Sequence, residues 1–182
     1  MSVELLSSSY LNKHMYFTAR RDSYRTRDGK IVDPYFVVEL PTSVVAMAIT
    51  ENNEVILINQ YRHPLGENLL ELPGGFIDEG EIPHQAVERE LLEETGYSFD
   101  HVQYLGMTAA NPGVLNNVTH MFVATGGKKT AEQNLDANEE IDIILKPLAD
   151  TRALLQQHGI RQSMHALCIF YAFQYLDGLE GK

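Results

Sequence analysis

The sequence predicts an α/β protein in which a mixed sheet is held between helices, with residues 1–42 forming a small N-terminal antiparallel β region ahead of a larger domain over residues 43–182. Three observations predict it. Two apolar runs, Ser43 to Thr50 and Glu54 to Tyr61, meet at Asn52-Asn53 and read as a hairpin of buried strands. The segment Pro83 to Thr95 carries proline in its first turn and is followed by Gly96, the signals that open and close a helix. The chain then ends in two more helical stretches, Leu148 to His158 stopped by Gly159, and Gln162 to about Leu176.

Five of the fourteen Lys and Arg residues, Arg20, Arg21, Arg25, Arg27 and Lys30, flank Asp28-Gly29, a strong hairpin signal between stretches rich in Tyr, Phe, Val and Thr. The N-terminus therefore reads as an antiparallel hairpin. Its charges either guard an exposed edge strand or contact a ligand or a second subunit, and the two roles are compatible. After the buried hairpin, Asn59-Gln60-Tyr61-Arg62-His63-Pro64 leads into Leu69-Leu70-Glu71-Leu72-Pro73-Gly74-Gly75. Gly74 and Gly75 allow the backbone to come close to whatever the following helix holds. Past that helix, Gln103 to Met107 and Val118 to Ala124 read as strands around the turn at Pro112-Gly113. The acidic stretch from Asp136 to Asp142 precedes a strand over Ile143 to Leu145. In the last helix Ala166, Ile169, Phe170 and Phe173 recur at helical spacing and are expected to face the core, as is the single cysteine, Cys168.

Chemistry concentrates between Gly75 and Tyr97, where Glu81, Glu88, Glu90, Glu93 and Glu94 surround Arg89 and no lysine is present. At about 100° per residue, with Glu90 at zero, Glu94 falls near 40° and Glu93 near 300°, so the three carboxylates share one arc. Alone, such an arc reads as a solvated acidic face. Ala86 and Val87 interleave with it at about 320° and 60°, however, so the arc does not simply face water. Like charges at i,i+4 cost a few tenths of a kcal/mol each, and a helix needing only solubility would pair them with lysine. A hard divalent cation, held by carboxylates, water and substrate phosphate, resolves the conflict. Arg89 can neutralise and orient one of the acids through its planar fork.

Gly75, Glu81, Arg89, Glu90, Leu91, Glu93, Glu94, Gly96 and Tyr97 resemble the Nudix box, the signature of hydrolases acting on a nucleoside diphosphate linked to another group. The resemblance implies the Nudix α-β-α sandwich, and Mg²⁺ or Mn²⁺ as cofactor with two or three ions per site. The metal ligands it implies are the Gly74 carbonyl, Glu90 and Glu94, with Glu93 in reserve. The Gln60-Tyr61-Arg62 segment before Glu71-Leu72-Pro73-Gly74-Gly75, and Pro112 sixteen residues after Gly96, resemble the members that split ADP-ribose and nucleotide sugars. From that resemblance Arg62, Glu71 and Pro112 are substrate-binding candidates, Tyr35 or Phe36 grips the nucleobase, and the N-terminal sheet is expected to dimerise. Glu139, eight residues before Pro147, is expected to bind metal or activate water, with Glu140 second; some members place the base where this chain has Ala137. The activity implied is cleavage of ADP-ribose or a related nucleoside diphosphate sugar to a nucleoside monophosphate and a sugar phosphate. Nucleoside triphosphate or dinucleoside polyphosphate hydrolysis, and a non-catalytic nucleotide sensor, are the alternatives.

A length of 182 residues with 44% apolar content suits one well-buried domain with a small appendage. The net charge of −11 argues against nucleic acid as a partner. It leaves a phosphate substrate open, because bound metal reverses the local sign. No apolar run approaches 18 residues, and the opening MSVELLSSSY lacks a basic region followed by an apolar one. No membrane span or Sec-type signal is expected, and cytoplasm is the expected compartment. The seven histidines show no zinc spacing, and one cysteine excludes a disulfide framework.

Overall fold

Strand β1 (Glu4–Asn12) precedes the predicted hairpin of β2 (Thr18–Arg25) and β3 (Ile31–Glu39), giving a three-stranded antiparallel sheet in the order β1-β2-β3. The structure, a computed structural model, describes residues 2–14 and 17–180. Its contacts divide it into two units, Met1–Thr42 with Ala109–Val118, and Ser43–Thr108 with Thr119–Lys182.

In the first unit Gly29 takes the left-handed conformation, φ 86°, that the β2–β3 turn requires. Four of the five cations around it are paired. Arg20 bonds Asp22 and Glu39, Arg21 reaches Asp33 at 2.9 Å, Arg25 reaches Glu4 at 3.3 Å and Lys30 reaches Asp28 at 3.2 Å. Apart from Arg20, whose partner Asp22 is buried, these pairs are largely exposed, so they set register more than stability. The 109–118 segment joins this unit through backbone bonds, Val38 N–H to the Val114 carbonyl and Asn116 N–H to the Val38 carbonyl. Strand β1 has no counterpart in the sequence reading, because its Ser-rich run is exposed along its whole length and carries no in-out alternation.

The second unit contains β4 (Ser43–Thr50), β5 (Glu54–Arg62), β6 (Glu67–Glu71), α1 (Pro83–Thr95), β7 (Tyr97–Ser98), β8 (His101–Thr108), β9 (Thr119–Lys129), β10 (Ile141–Pro147), α2 (Leu148–Gln156) and α3 (Ser163–Glu180). Among the described residues these strands form a seven-stranded sheet, ordered β10-β5-β4-β9-β7, with β6 on β5 and β8 on β9. β4 and β9 run parallel and the other pairs antiparallel, so the sheet is mixed as predicted.

Alternation along β4 sends its side chains to opposite faces. Val44, Ala46 and Ala48 pack with Phe122 and Ala124 against Ala86, Val87 and Leu91 of α1. Val45, Met47 and Ile49 pack with Met121 and Val123 against α3, and Leu154 and Leu155 of α2 lie on that side. The result is a sheet between helix layers. Pro83 begins α1, and Gly96, at φ 75°, ends it by donating its N–H to the Leu92 carbonyl at 2.8 Å.

The core stripe of α3 differs from the predicted one. Cys168, Ile169, Ala172 and Phe173 are buried, whereas Phe170 is 48% exposed and stacks edge-on with Tyr171. Residues i, i+1, i+4 and i+5 define the apolar stripe here, and Phe170 lies one step outside it. Ile169→Ala should therefore lower unfolding free energy by about 2–5 kcal/mol, and Phe170→Ala by less than about 1 kcal/mol. Urea denaturation of both variants checks this, and equal losses would contradict the packing described.

Candidate active site

Antiparallel pairing of β5 with β6 sets Arg62 opposite Glu67 and Ile58 opposite Glu71, so the end of β6 lies beside the middle of β5, four residues before Arg62. Arg62 reaches back to Glu71, Nε donating to Oε1 at 3.0 Å and Nη2 to Oε2 at 2.6 Å. The Glu71 side chain is fully buried and that of Arg62 is 38% exposed, so the guanidinium is held from behind and remains open in front.

After Glu71 the chain runs alongside β4, with Ala46 N–H on the Pro73 carbonyl and Val44 N–H on the Gly75 carbonyl. Both glycines lie at close approaches, Gly74 to backbone and Gly75 to a side chain. Gly74 has φ 154°, and a Cβ there would strike the Val44 carbonyl; a Cβ at Gly75 would strike the Glu90 carboxylate. Glu94, on the next turn of α1, accepts the Gly74 N–H at 2.8 Å. The helix thus stands over the glycine turn with two carboxylates facing it.

Arg89 braces this cluster. Its Nε and Nη2 bond the two oxygens of Glu81 at 3.1 and 3.0 Å, Nη1 bonds Glu90 at 2.9 Å and Glu93 at 3.0 Å, and Nη2 also reaches the Phe76 carbonyl at 3.0 Å. The predicted arc is narrower than the helical wheel implies. Glu93 turns toward Arg89 with 38% exposure, so Glu90 and Glu94 are the pair that converges. One oxygen of each, Glu90 Oε2 and Glu94 Oε1, takes no hydrogen bond from a described residue.

The charges respond to burial. Desolvation pushes Glu90 up to about 7 against the pull of Arg89, and pushes Glu94 up to about 8 against the Gly74 N–H. Glu81, bonded by the Arg89 fork, is held below the usual carboxylate range. Arg89 is correspondingly raised, first by Glu81.

Glu139 is half-buried and Glu140 exposed. Glu139 closes a turn with Asp136, accepting the Asp136 N–H on Oε2 at 3.1 Å. Its charge nonetheless raises Arg62, Glu90 and Glu94. The root of this loop is tied to α1. The Gln133 amide donates to the carbonyls of Glu94 and Ile141 at 2.7 and 3.2 Å, and Asn134 N–H donates to the Glu93 carbonyl at 2.8 Å.

In the first unit, Tyr35 donates its hydroxyl to the Gly113 carbonyl at 2.7 Å and meets Tyr24 edge-on at 5.6 Å. Tyr35 thus joins the loop that carries the exposed Pro112, and Phe36 is 54% exposed.

Among the described residues no three His, Cys, Asp or Glu side chains already stand together as a metal cage. The Glu90 and Glu94 pair nevertheless suits a hard divalent cation, since it offers oxygen donors, is poorly solvated and repels itself.

The NUDIX domain family matches residues 39–167. The chain belongs to the NUDIX family. It is 33% identical over 147 residues to the methanol dehydrogenase activator of Bacillus methanolicus, covering 80% of this chain and 79% of that protein. It is 34% identical over 143 residues to the ADP-ribose pyrophosphatase of Mycobacterium tuberculosis, covering 78% and 68%. The fold is that of a solved ADP compounds hydrolase, with a TM-score of 0.86, 22% identity and coverage of 98% and 96%. Among the described residues no helix is long and apolar enough to cross a membrane.

Within this NUDIX frame two polar groups have no counterpart in the sequence reading, Gln133 and His165, because each bonds backbone far away in sequence. Glu71, a substrate-binding candidate from the sequence, accepts a bond from Arg62 on each oxygen.

A pH effect follows for the metal-free protein. Glu90 and Glu94 ionise near 4.5 when unfolded but near 7 and 8 when folded, so the folded state holds extra protons in between and its stability falls as pH rises through that window. His120 and His165, both pushed down by burial, stay neutral above about pH 7 and do not mask the trend. The urea midpoint should be lower at about pH 9 than at about pH 7. A flat or rising midpoint would contradict the burial described.

Proposed function

We propose that this NUDIX protein hydrolyses the diphosphate bridge of ADP-ribose or a related nucleoside diphosphate sugar, releasing a nucleoside monophosphate and a sugar phosphate. The observation that carries this reading is the pair Glu90 and Glu94, poorly exposed and one turn apart over the Gly74-Gly75 turn, Glu90 braced by Arg89 and Glu94 bonded by the Gly74 N–H. The pyrophosphatase name of the Mycobacterium tuberculosis relative supports the substrate class.

Glu90, Glu94 and the Gly74 carbonyl would hold Mg²⁺ or Mn²⁺, two or three ions per site, with Glu93 and Glu139 as further oxygen donors. When bound, such ions lower the pKa of a coordinated water and offset charge on the departing phosphate oxygen. Arg62, with its fork held by Glu71, binds the diphosphate and keeps it in place for attack. Glu139 takes the proton from the attacking water, whose oxygen adds to one phosphorus while the bridging oxygen leaves with the other. Glu139 is favoured over Glu140 because its charge acts on both helix carboxylates and on Arg62. Arg89 contributes by keeping Glu90 and Glu93 in position.

Residues 1–42 form the region proposed to contact the nucleobase, through Tyr35 or Phe36, beside the turn at Pro112, and to dimerise. An edge strand β1 exposing Leu5, Tyr10 and Leu11 supports a homodimer. The net charge of −11 supports small-molecule phosphates over nucleic acid as partners, and cytoplasm is the proposed compartment.

Glu94→Gln should keep the fold, judged by an unchanged circular dichroism spectrum, and lose at least about a hundredfold in kcat on ADP-ribose with Mg²⁺. Near-normal turnover would refute the assignment. A panel of ADP-ribose, nucleotide sugars, NADH, dinucleoside polyphosphates and nucleoside triphosphates should show phosphate–phosphate cleavage with ADP-ribose or a nucleotide sugar preferred. Preference for a triphosphate would overturn the substrate class. Sedimentation should give a dimer, and a monomer at every concentration would remove the second-subunit role.

A further inference from the structure

Strand β6 ends at Glu71, so the N–H of the next residue, Leu72, has left the β5–β6 ladder. Leu72 is fully buried, and an unpaired N–H there would be costly. The partner comes from the other end of the chain. His165, on the first turn of α3 and 7% exposed, accepts the Leu72 N–H on Nδ1 at 3.0 Å.

We propose that His165 is a positioning residue: by holding the Leu72 N–H it sets the place of the adjacent Glu71, the buried carboxylate that orients Arg62. The same Nδ1 lies 3.8 Å from Glu71 Oε2, too far for a hydrogen bond, and its lone pair is already engaged by Leu72. The ring is therefore neutral with its proton on Nε2. Burial, which pushes its pKa down to about 4, keeps it so at working pH. A protonated ring would lose the Leu72 bond and draw on Glu71, loosening the carboxylate from Arg62. The neutral ring instead links α3 to β6 and β5: α3 holds Leu72, the backbone carries Glu71, and Glu71 presents the Arg62 fork. Apolar neighbours such as Cys168 and Ile169 make α3 read as packing alone, yet its buried histidine reaches the end of β6, which carries the carboxylate that holds Arg62.

The inference rests on Arg62 as the diphosphate contact, and the experiment separates the two. In the full-length protein, His165→Asn puts a side-chain carbonyl near the position of Nδ1, whereas His165→Gln carries its carbonyl toward Nε2 and leaves Leu72 unpaired. In the metal-free protein the Arg62 Nε–H nuclear magnetic resonance signal, assigned by its loss in Arg62→Ala, should be unchanged by His165→Asn and shifted or lost in His165→Gln. With ADP-ribose and Mg²⁺, KM should stay within about twofold of wild type for His165→Asn and rise about tenfold for His165→Gln, with kcat changed by less than about threefold. An unchanged Arg62 signal in His165→Gln overturns the proposal. So does equal impairment of the two variants, or loss of cooperative thermal unfolding in both, since either outcome assigns His165 to packing. If Arg62→Ala leaves KM at the wild-type value, the reading of Arg62 fails, and the resonance comparison still decides the role of His165.

Discussion

The hydrogen-bond fork of Arg89 is the interaction on which the site depends. Helix α1 places Glu90, Glu93 and Glu94 within two turns, and the loop before it adds Glu81. Without a cation among them, repulsion would splay these side chains outward. Arg89 binds three of the four carboxylates and the Phe76 carbonyl, which also ties the loop to the helix. Its bonds fall unevenly. Glu81 receives two bonds, from Nε and Nη2, and is held ionised, whereas Glu90 receives one bond from Arg89 and Glu94 none, so burial dominates at those two and raises both. A guanidinium suits this task because its planar donors serve several acceptors at once, which an ammonium on a flexible stem does less well.

The sheet supplies the opposing surface. Gly74 and Gly75 pass so close to β4 and α1 that any side chain would collide with the Val44 carbonyl or the Glu90 carboxylate. The carboxylates and the backbone of the turn are therefore brought together by the absence of side chains as much as by attraction. On the neighbouring strands a second arginine is held differently. Arg62 has one fully buried partner, Glu71, and keeps part of its surface exposed. One arginine thus organises acids and the other is itself organised by an acid, a division that suits bracing in the first case and ligand contact in the second.

Much of this was legible because the spacing of the residues is itself the chemistry. The helix limits, Pro83 and Gly96, followed from backbone rules that hold whatever the helix packs against, and both ends fall where expected. The glutamates one turn apart could be placed on one face by helical periodicity. Periodicity failed where it had to choose between adjacent positions: it put Phe170 in the core, while the buried stripe runs through Cys168, Ile169 and Ala172. It also could not see β1, whose exposed serines carry no alternation. The partners of Glu71 and His165 were illegible for another reason. They are set by tertiary contact, nine residues away across a strand pair in one case and 93 residues away in the other, and no local pattern encodes such a meeting.

Glu90 and Glu94, one turn apart and poorly solvated, form the proposed site for divalent ions. Crystals grown with Mn²⁺ and measured for its anomalous scattering test this most directly. The account predicts a peak within bonding distance of both carboxylates and of the Gly74 carbonyl. Well-ordered Glu90 and Glu94 side chains with no peak between them, at a Mn²⁺ concentration that supports turnover, would contradict it.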